Sequence, residues 1–243
     1  MTKIAGLLLL TLLSTEAQTI GSEAKSSTET VNMADVLVSL EKKSGIFLSQ
    51  KYFALIEMPA EYSQHGLCKQ MPSLFSKPRQ NDVTVVFPSE GSKLLVNSAV
   101  LSLISPVLYI EYLQSSKTNG VVLEHGTLSA FSKLVLLASG HIVPAYSLDE
   151  LLDLAGMAHE LQIPAVLAVL EEAIASTAEV ETYAKVLIVS HRRGLNRTTA
   201  NTLHLAARSF HHFIASDGYL QLPERIITAL LADDALEAMQ EGA

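Results

Sequence analysis

Tryptophan is absent from this chain, and cysteine occurs once, at Cys68. One thiol cannot close a disulfide within the chain, so neither a disulfide framework nor a Cys-rich zinc cage is available. We read Cys68 as a small buried-type hydrophobe in a chain suited to a reducing compartment. Aromatic residues make up 6% and charged residues 17% of the 243 positions, while 49% are hydrophobic, so any core is built from aliphatic side chains and alanine. That composition favours helix over sheet and argues against bulk disorder. Positive charge is also scarce: the net charge is −8. A nucleic-acid binder concentrates cations against phosphate, so nucleic acid is not an expected partner.

Long apolar runs are missing as well. The longest is Ile4-Ala-Gly-Leu-Leu-Leu-Leu-Thr-Leu-Leu13, well short of the ~20 residues a spanning helix needs, and no membrane partner is expected. With Lys3 before it and the small residues Thr15 and Ala17 after it, this stretch has the parts of a secretory signal. An exported chain cleaved near residue 17 is therefore one reading of this segment.

Known catalytic patterns are absent too. There is no Gly-x-Ser-x-Gly elbow, phosphate loop, dinucleotide fingerprint or His-Glu-x-x-His, so no enzyme, cofactor or metal is expected. His159-Glu160 lacks the second histidine and reads as a solvated helix position. His204 and His211 share a helix face without a recognisable third ligand. His191-Arg192-Arg193 with Arg197 is the one basic cluster, and we read it as cations complementing a helix C-terminus. Asn196-Arg197-Thr198 is a formal glycosylation sequon, meaningful only in an exported chain.

What is present is ordered packing signal. Residues 14–32 read as a polar linker, and Met33–Lys43 as a short amphipathic helix. Ile46–Met58 is apolar but irregular. Leu67, Met71, Leu74 and Phe75 recur at helical spacing. Asp82-Val-Thr-Val-Val-Phe87 and Lys93-Leu-Leu-Val96 flank the turn signal Pro88-Ser-Glu-Gly91, which predicts a hairpin. Asn97 opens a helix carrying Val100, Leu101 and Ile104, and Ser105-Pro106 restarts it. Val121–Leu123 is a further strand. Thr127 caps a helix whose inward stripe is Leu128, Phe131, Leu134, Val135 and Ala138, ended by Gly140. Ser147-Leu-Asp-Glu150 is a capping box that launches Leu151, Leu152, Ala155, Ala158 and Leu161. Pro164 starts the next helix, with Val166, Leu167, Leu170 and Ile174 facing inward. Helices over 181–193, 199–215 and Pro223–Ala232 follow. The expected class is α+β with an all-helical extension.

This order resembles a BTB/POZ domain followed by part of a BACK domain. The residues that carry it are Asp82-Val83, Val100-Leu101, Ser105-Pro106, Phe131, Glu150-Leu151-Leu152, Ala155 and Leu161-Gln162-Ile163. A weaker BACK-like match rests on Gly194-Leu195, His212-Phe213-Ile214 and Tyr219-Leu-Gln-Leu-Pro223. The resemblance implies a small mixed sheet covered by helices. It implies an N-terminal tail at 1–66, a BTB/POZ-like domain at 67–178 and a partial BACK-like helical domain at 179–243.

Functionally, the resemblance implies a non-enzymatic adaptor that homodimerises and links substrates to a cullin-3-type ubiquitin ligase. Carried by residues 82–175, it also implies a cytoplasmic or nuclear protein instead of an exported one. The alternative is a self-assembling scaffold, or a regulator that forms mixed dimers with other BTB proteins without cullin binding. Leu67, Met71, Leu74, Phe75, Val100 and Leu101 would line the dimer interface, and Tyr109, Tyr112 and Leu113 would meet a protein partner. The sequence departs from the family where its usual histidine, basic residue and aromatic fall on Asn97, Ser98 and Ser139. The loop Gln114–Gly120, where cullin-recruiting members often carry a hydrophobic-x-Glu anchor, has no Glu at all.

Overall fold

The computed structural model describes residues 30–33, 53–64, 81–114, 120–145 and 147–236. The chain divides into two compact units, Met1–Val169 and Leu170–Ala243.

The first unit is built on a mixed sheet of β1 (Thr30–Asn32), β3 (Val83–Phe87), β4 (Ser92–Val96) and β5 (Gly120–Val122) in the order β1-β4-β3-β5. β3 and β4 form the expected antiparallel hairpin, with Val83 opposite Val96 and Phe87 opposite Ser92. Its turn closes with Gly91 in the left-handed region at φ 64°, a conformation glycine adopts without steric cost. β5 lies parallel to β3, and β1 parallel to β4. Alternation sets the inward face: Val83, Val85, Phe87, Leu94, Val96 and Val121 are buried, while Thr84, Val86 and Leu95 keep partial exposure. A second ribbon pairs β2 (Ala54–Ile56) antiparallel with β6 (Val143–Ala145).

Both β1 and β2 come from the stretch expected to be a separate tail. Thr30–Asn32 pairs in the sheet rather than serving as linker, and Met33 after it is fully buried. Ile56 and Met58 are buried too. A three-residue strand has too little periodicity to announce itself, and its partner lies some sixty residues onward for β1 and some ninety for β2, so only tertiary pairing defines it. Residues 34–43, expected as a helix, lie outside the described residues, as do Leu67, Met71, Leu74, Phe75 and Cys68. A short helix, α1 (Ala60–Gln64), follows Pro59.

Five longer helices complete or leave this unit: α2 (Ser98–Ile104), α3 (Pro106–Gln114), α4 (Leu128–Ala138), α5 (Leu148–Glu160) and α6 (Pro164–Thr177). α4 starts as expected, with Thr127 Oγ1 accepting from the Ala130 amide at 3.1 Å. It ends at Gly140, φ 81°, with the His141 amide reaching back to the Leu136 carbonyl, a left-handed helix stop. It is buried on every side and not along one stripe: Ser132 and Lys133 are buried together with Leu128, Phe131 and Leu134–Ala138. Phe131 stacks at a tilt on Phe87, centroids 5.7 Å apart.

Ser147 caps α5, accepting from the Glu150 amide. The Glu150 carboxylate pairs with the Lys133 ammonium, which also donates to the Pro144 carbonyl of β6. Lys133 is 2% exposed, and this burial pulls its pKa below the ordinary lysine value against the hold of Glu150. α5 ends at Leu161, and Gln162 takes the left-handed region at φ 52° before Pro164 opens α6.

The division between units falls inside α6, after Val169, and not at 178 as expected. Leu170, Glu171 and Ile174 on the later turns are buried, and Glu171 accepts from both the amide and the hydroxyl of Thr198. That hydrogen bonding assigns the second half of the helix to the second unit.

The second unit continues with α7 (Val180–Arg192), α8 (Asn196–Arg208), α9 (Phe210–Ile214), a 3₁₀ turn at Tyr219–Gln221 and α10 (Glu224–Leu231). The single helix expected over 199–215 is two: the ladder breaks at Ser209, whose backbone (φ −112°, ψ 33°) leaves the α region. The break lets Phe213 turn into a core of Tyr183, Ala184, Leu187, Ala206, Leu222, Ile226 and Leu230. Phe213 meets Tyr183 at 6.2 Å and Tyr219 edge-on at 5.8 Å. Gly218 is required here, because a Cβ on it would lie 2.6 Å from the Ala184 Cβ.

Candidate protein-interaction surface

The α2–α3 pair is held by side chains whose spacing is readable in the sequence. Asn97 Oδ1 accepts from the Ala99 and Val100 amides at 2.9 and 3.4 Å. The Asp82 carboxylate adds a second cap, accepting from the amide and hydroxyl of Ser98, each at 2.8 Å. An acid against a helix N-terminus is favourable on both hydrogen-bonding and dipole grounds. Ser105 joins the two helices. It closes α2 through its amide, accepts from the Leu108 amide at 3.1 Å to start α3, and donates its hydroxyl proton to the Leu161 carbonyl at the end of α5. Pro106 takes the first position of α3, where its missing amide costs nothing.

One side of the pair is fully packed. Val100 and Leu101 have no exposed surface, Leu108 is 1% exposed, and Ile104 is also buried. This corrects the expectation that Val100 and Leu101 line a dimer interface: side chains wholly enclosed by their own chain offer nothing to a second copy. Their helical spacing marks a buried face without saying whose atoms bury it.

The other side is apolar and open. Leu103 is 47%, Tyr109 44% and Ile110 52% exposed, and Pro106 is exposed as well. Pro106, Tyr109 and Ile110 stand at i, i+3 and i+4, hence on one face. Of the partner-contacting residues expected from sequence, Tyr109 is on this open face and Tyr112 is half-buried. Leu113 belongs to α3, but its side chain lies outside the described residues. Leu103 and Ile110 were missed. The signal was there: Val107-Leu-Tyr-Ile110 and Tyr112-Leu113 leave α3 almost no polar side, and a helix apolar all round cannot face bulk water on one flank without cause. Glu111 is the one carboxylate of α3, and partial burial raises its pKa above the ordinary 4.5.

The Lys133–Glu150 pair binds α4 to α5 and β6. His141 is partly buried with Nδ1 3.3 Å from the Leu136 carbonyl, and desolvation lowers its pKa. His159 is exposed, and His204 Nδ1 lies 3.4 Å from the Asp233 carboxylate, a partner missed in the sequence. Among the described residues no three His, Cys, Asp or Glu side chains converge as a metal site, and no helix is long and apolar enough to cross a membrane.

No protein-family model matches this chain, and no curated protein matches it.

Proposed function

We propose that this chain is a non-enzymatic protein–protein interaction adaptor of the cytoplasm or nucleus. In this reading a BTB/POZ-like α+β unit pairs with a second copy and presents α2 and α3 to a protein partner, with a cullin-3-type ubiquitin-ligase scaffold as the candidate. A partial BACK-like helical unit follows. The observation that carries it is the open apolar face of Pro106, Tyr109 and Ile110 on α3, with Leu103 also exposed on α2, while Val100, Leu101, Ile104 and Leu108 are packed inward. Exposed apolar side chains scattered singly are ordinary, whereas several on one face of a helix mark a contact surface. The succession of hairpin, capped helix pair, strand, Phe131 helix, capped α5 and closing α6 also supports the BTB-like reading.

The second reading is a self-assembling scaffold or mixed-dimer regulator without cullin binding. It is favoured by Gln114–Gly120, which lacks the carboxylate of the family's anchor. The loop also has no large apolar residue, and losing one buried apolar anchor costs about 1.5–3 kcal/mol, roughly ten- to a hundredfold in affinity.

Sedimentation with co-purification separates them. The adaptor reading expects a dimer at micromolar concentration and a recovered cullin scaffold, lost with Ile110→Asp while the melting temperature holds. Recovery of BTB proteins alone supports the second reading. A monomer that recovers neither refutes both.

A further inference from the structure

Outside that surface, the second unit carries an unusual corner of positive charge. α7 ends by presenting His191 and Arg192 to solvent. Gly194, at φ 70°, reverses the chain, Leu195 is buried as the anchor of the turn, and the first turn of α8 presents Asn196 and Arg197. No acidic residue occurs between 191 and 197 in a chain of net charge −8.

Complementing a helix dipole accounts for Arg192 and the half-buried Arg193, which lie at the C-terminus of α7. It does not account for Arg197. That residue lies in the first turn of α8, where the dipole is positive and a cation is disfavoured, and it follows Arg192 and Arg193 within five residues. The acid belonging to this turn is Glu171, buried beneath it and engaged with the amide and hydroxyl of Thr198. Neither the Arg192 nor the Arg197 side chain has an ion-pair or hydrogen-bond partner among the described residues.

We propose that the α7–α8 corner binds an acidic protein segment, with Arg192 and Arg197 receiving its carboxylates and His191 and Asn196 at its margin. Guanidinium forks match carboxylates in pairs. The chain's overall negative charge repels an extended polyanion such as nucleic acid at long range, yet leaves a short acidic run attracted to one local patch. The inference does not depend on the BTB-like reading.

The test is fluorescence anisotropy of the full chain with a labelled peptide containing six consecutive glutamates, and with a single-stranded oligonucleotide of equal charge. Saturable peptide binding that weakens as salt rises is expected. The double variant Arg192→Gln/Arg197→Gln should weaken it about tenfold, from two exposed charge contacts. Arg192→Lys/Arg197→Lys should restore part of it. Absence of saturable binding, equal binding by the glutamine variant, or tighter binding of the oligonucleotide would each overturn the proposal.

Discussion

The two units solve the same problem of burying aliphatic surface by contrasting means. The first depends on distant partners: β1 on β4, β2 on β6, Ser105 on the end of α5. The second depends on neighbours, with four helices and one 3₁₀ turn closing on Phe213 within about fifty residues. Long-range pairing fixes a chain more slowly and through more separate elements than local helix packing. A packing defect in the second unit therefore reaches its whole core at once, whereas in the first it is felt at particular seams.

The largest effect that sharpens this contrast is Phe213→Ala. Removing a fully buried ring from the centre of a small core should cost about 3–5 kcal/mol. Hydrogen exchange should then show protection lost throughout α7, α8 and α10 and kept in β3, β4 and α4. Loss spread evenly over both units would break the distinction.

A smaller and more local effect is expected at the seam of α4, α5 and β6. Glu150→Gln removes the carboxylate charge that faces the buried Lys133 ammonium. We expect a loss of about 2–3 kcal/mol, below the range for a wholly enclosed pair because Glu150 retains some water contact. Lys133→Met, which removes the charge altogether, should cost less. Denaturant titration of the two variants decides it, and the reverse order would sink the account of that pair.

The smallest effect is a pH dependence in the first unit. Burial lowers the His141 pKa from its ordinary 6.5, so the native ring stays neutral where the unfolded chain takes up a proton. Its contribution to stability is complete above pH 6.5 and is lost as pH falls from there through the lower native value. Thermal melts across that window should show a decline that His141→Phe flattens.

The contrast also explains what could be read beforehand. Asn97, Thr127, Ser147, Gly140 and Gly194 act within a few residues of where they stand, so their spacing announces their roles. β1 and β2 were missed because each has only three residues and its meaning lies in a remote partner. The break at Ser209 follows from where Phe213 must point, which no local signal records. Val100 and Leu101 show the same limit at the candidate surface: periodicity identified the buried face but not its owner. Tyr109 was legible, while Ile110 and Leu103 needed the observation that α3 has no polar flank.

The first strand carries one more consequence. Thr30, Val31 and Asn32 lie alongside Lys93, Leu94 and Leu95, so three residues screen the outer margin of β4. A chain trimmed just after Asn32 would bare a row of unsatisfied amides and carbonyls there. Such a product should be sticky toward any extended polypeptide it meets, which makes the integrity of this short stretch a condition for staying in solution.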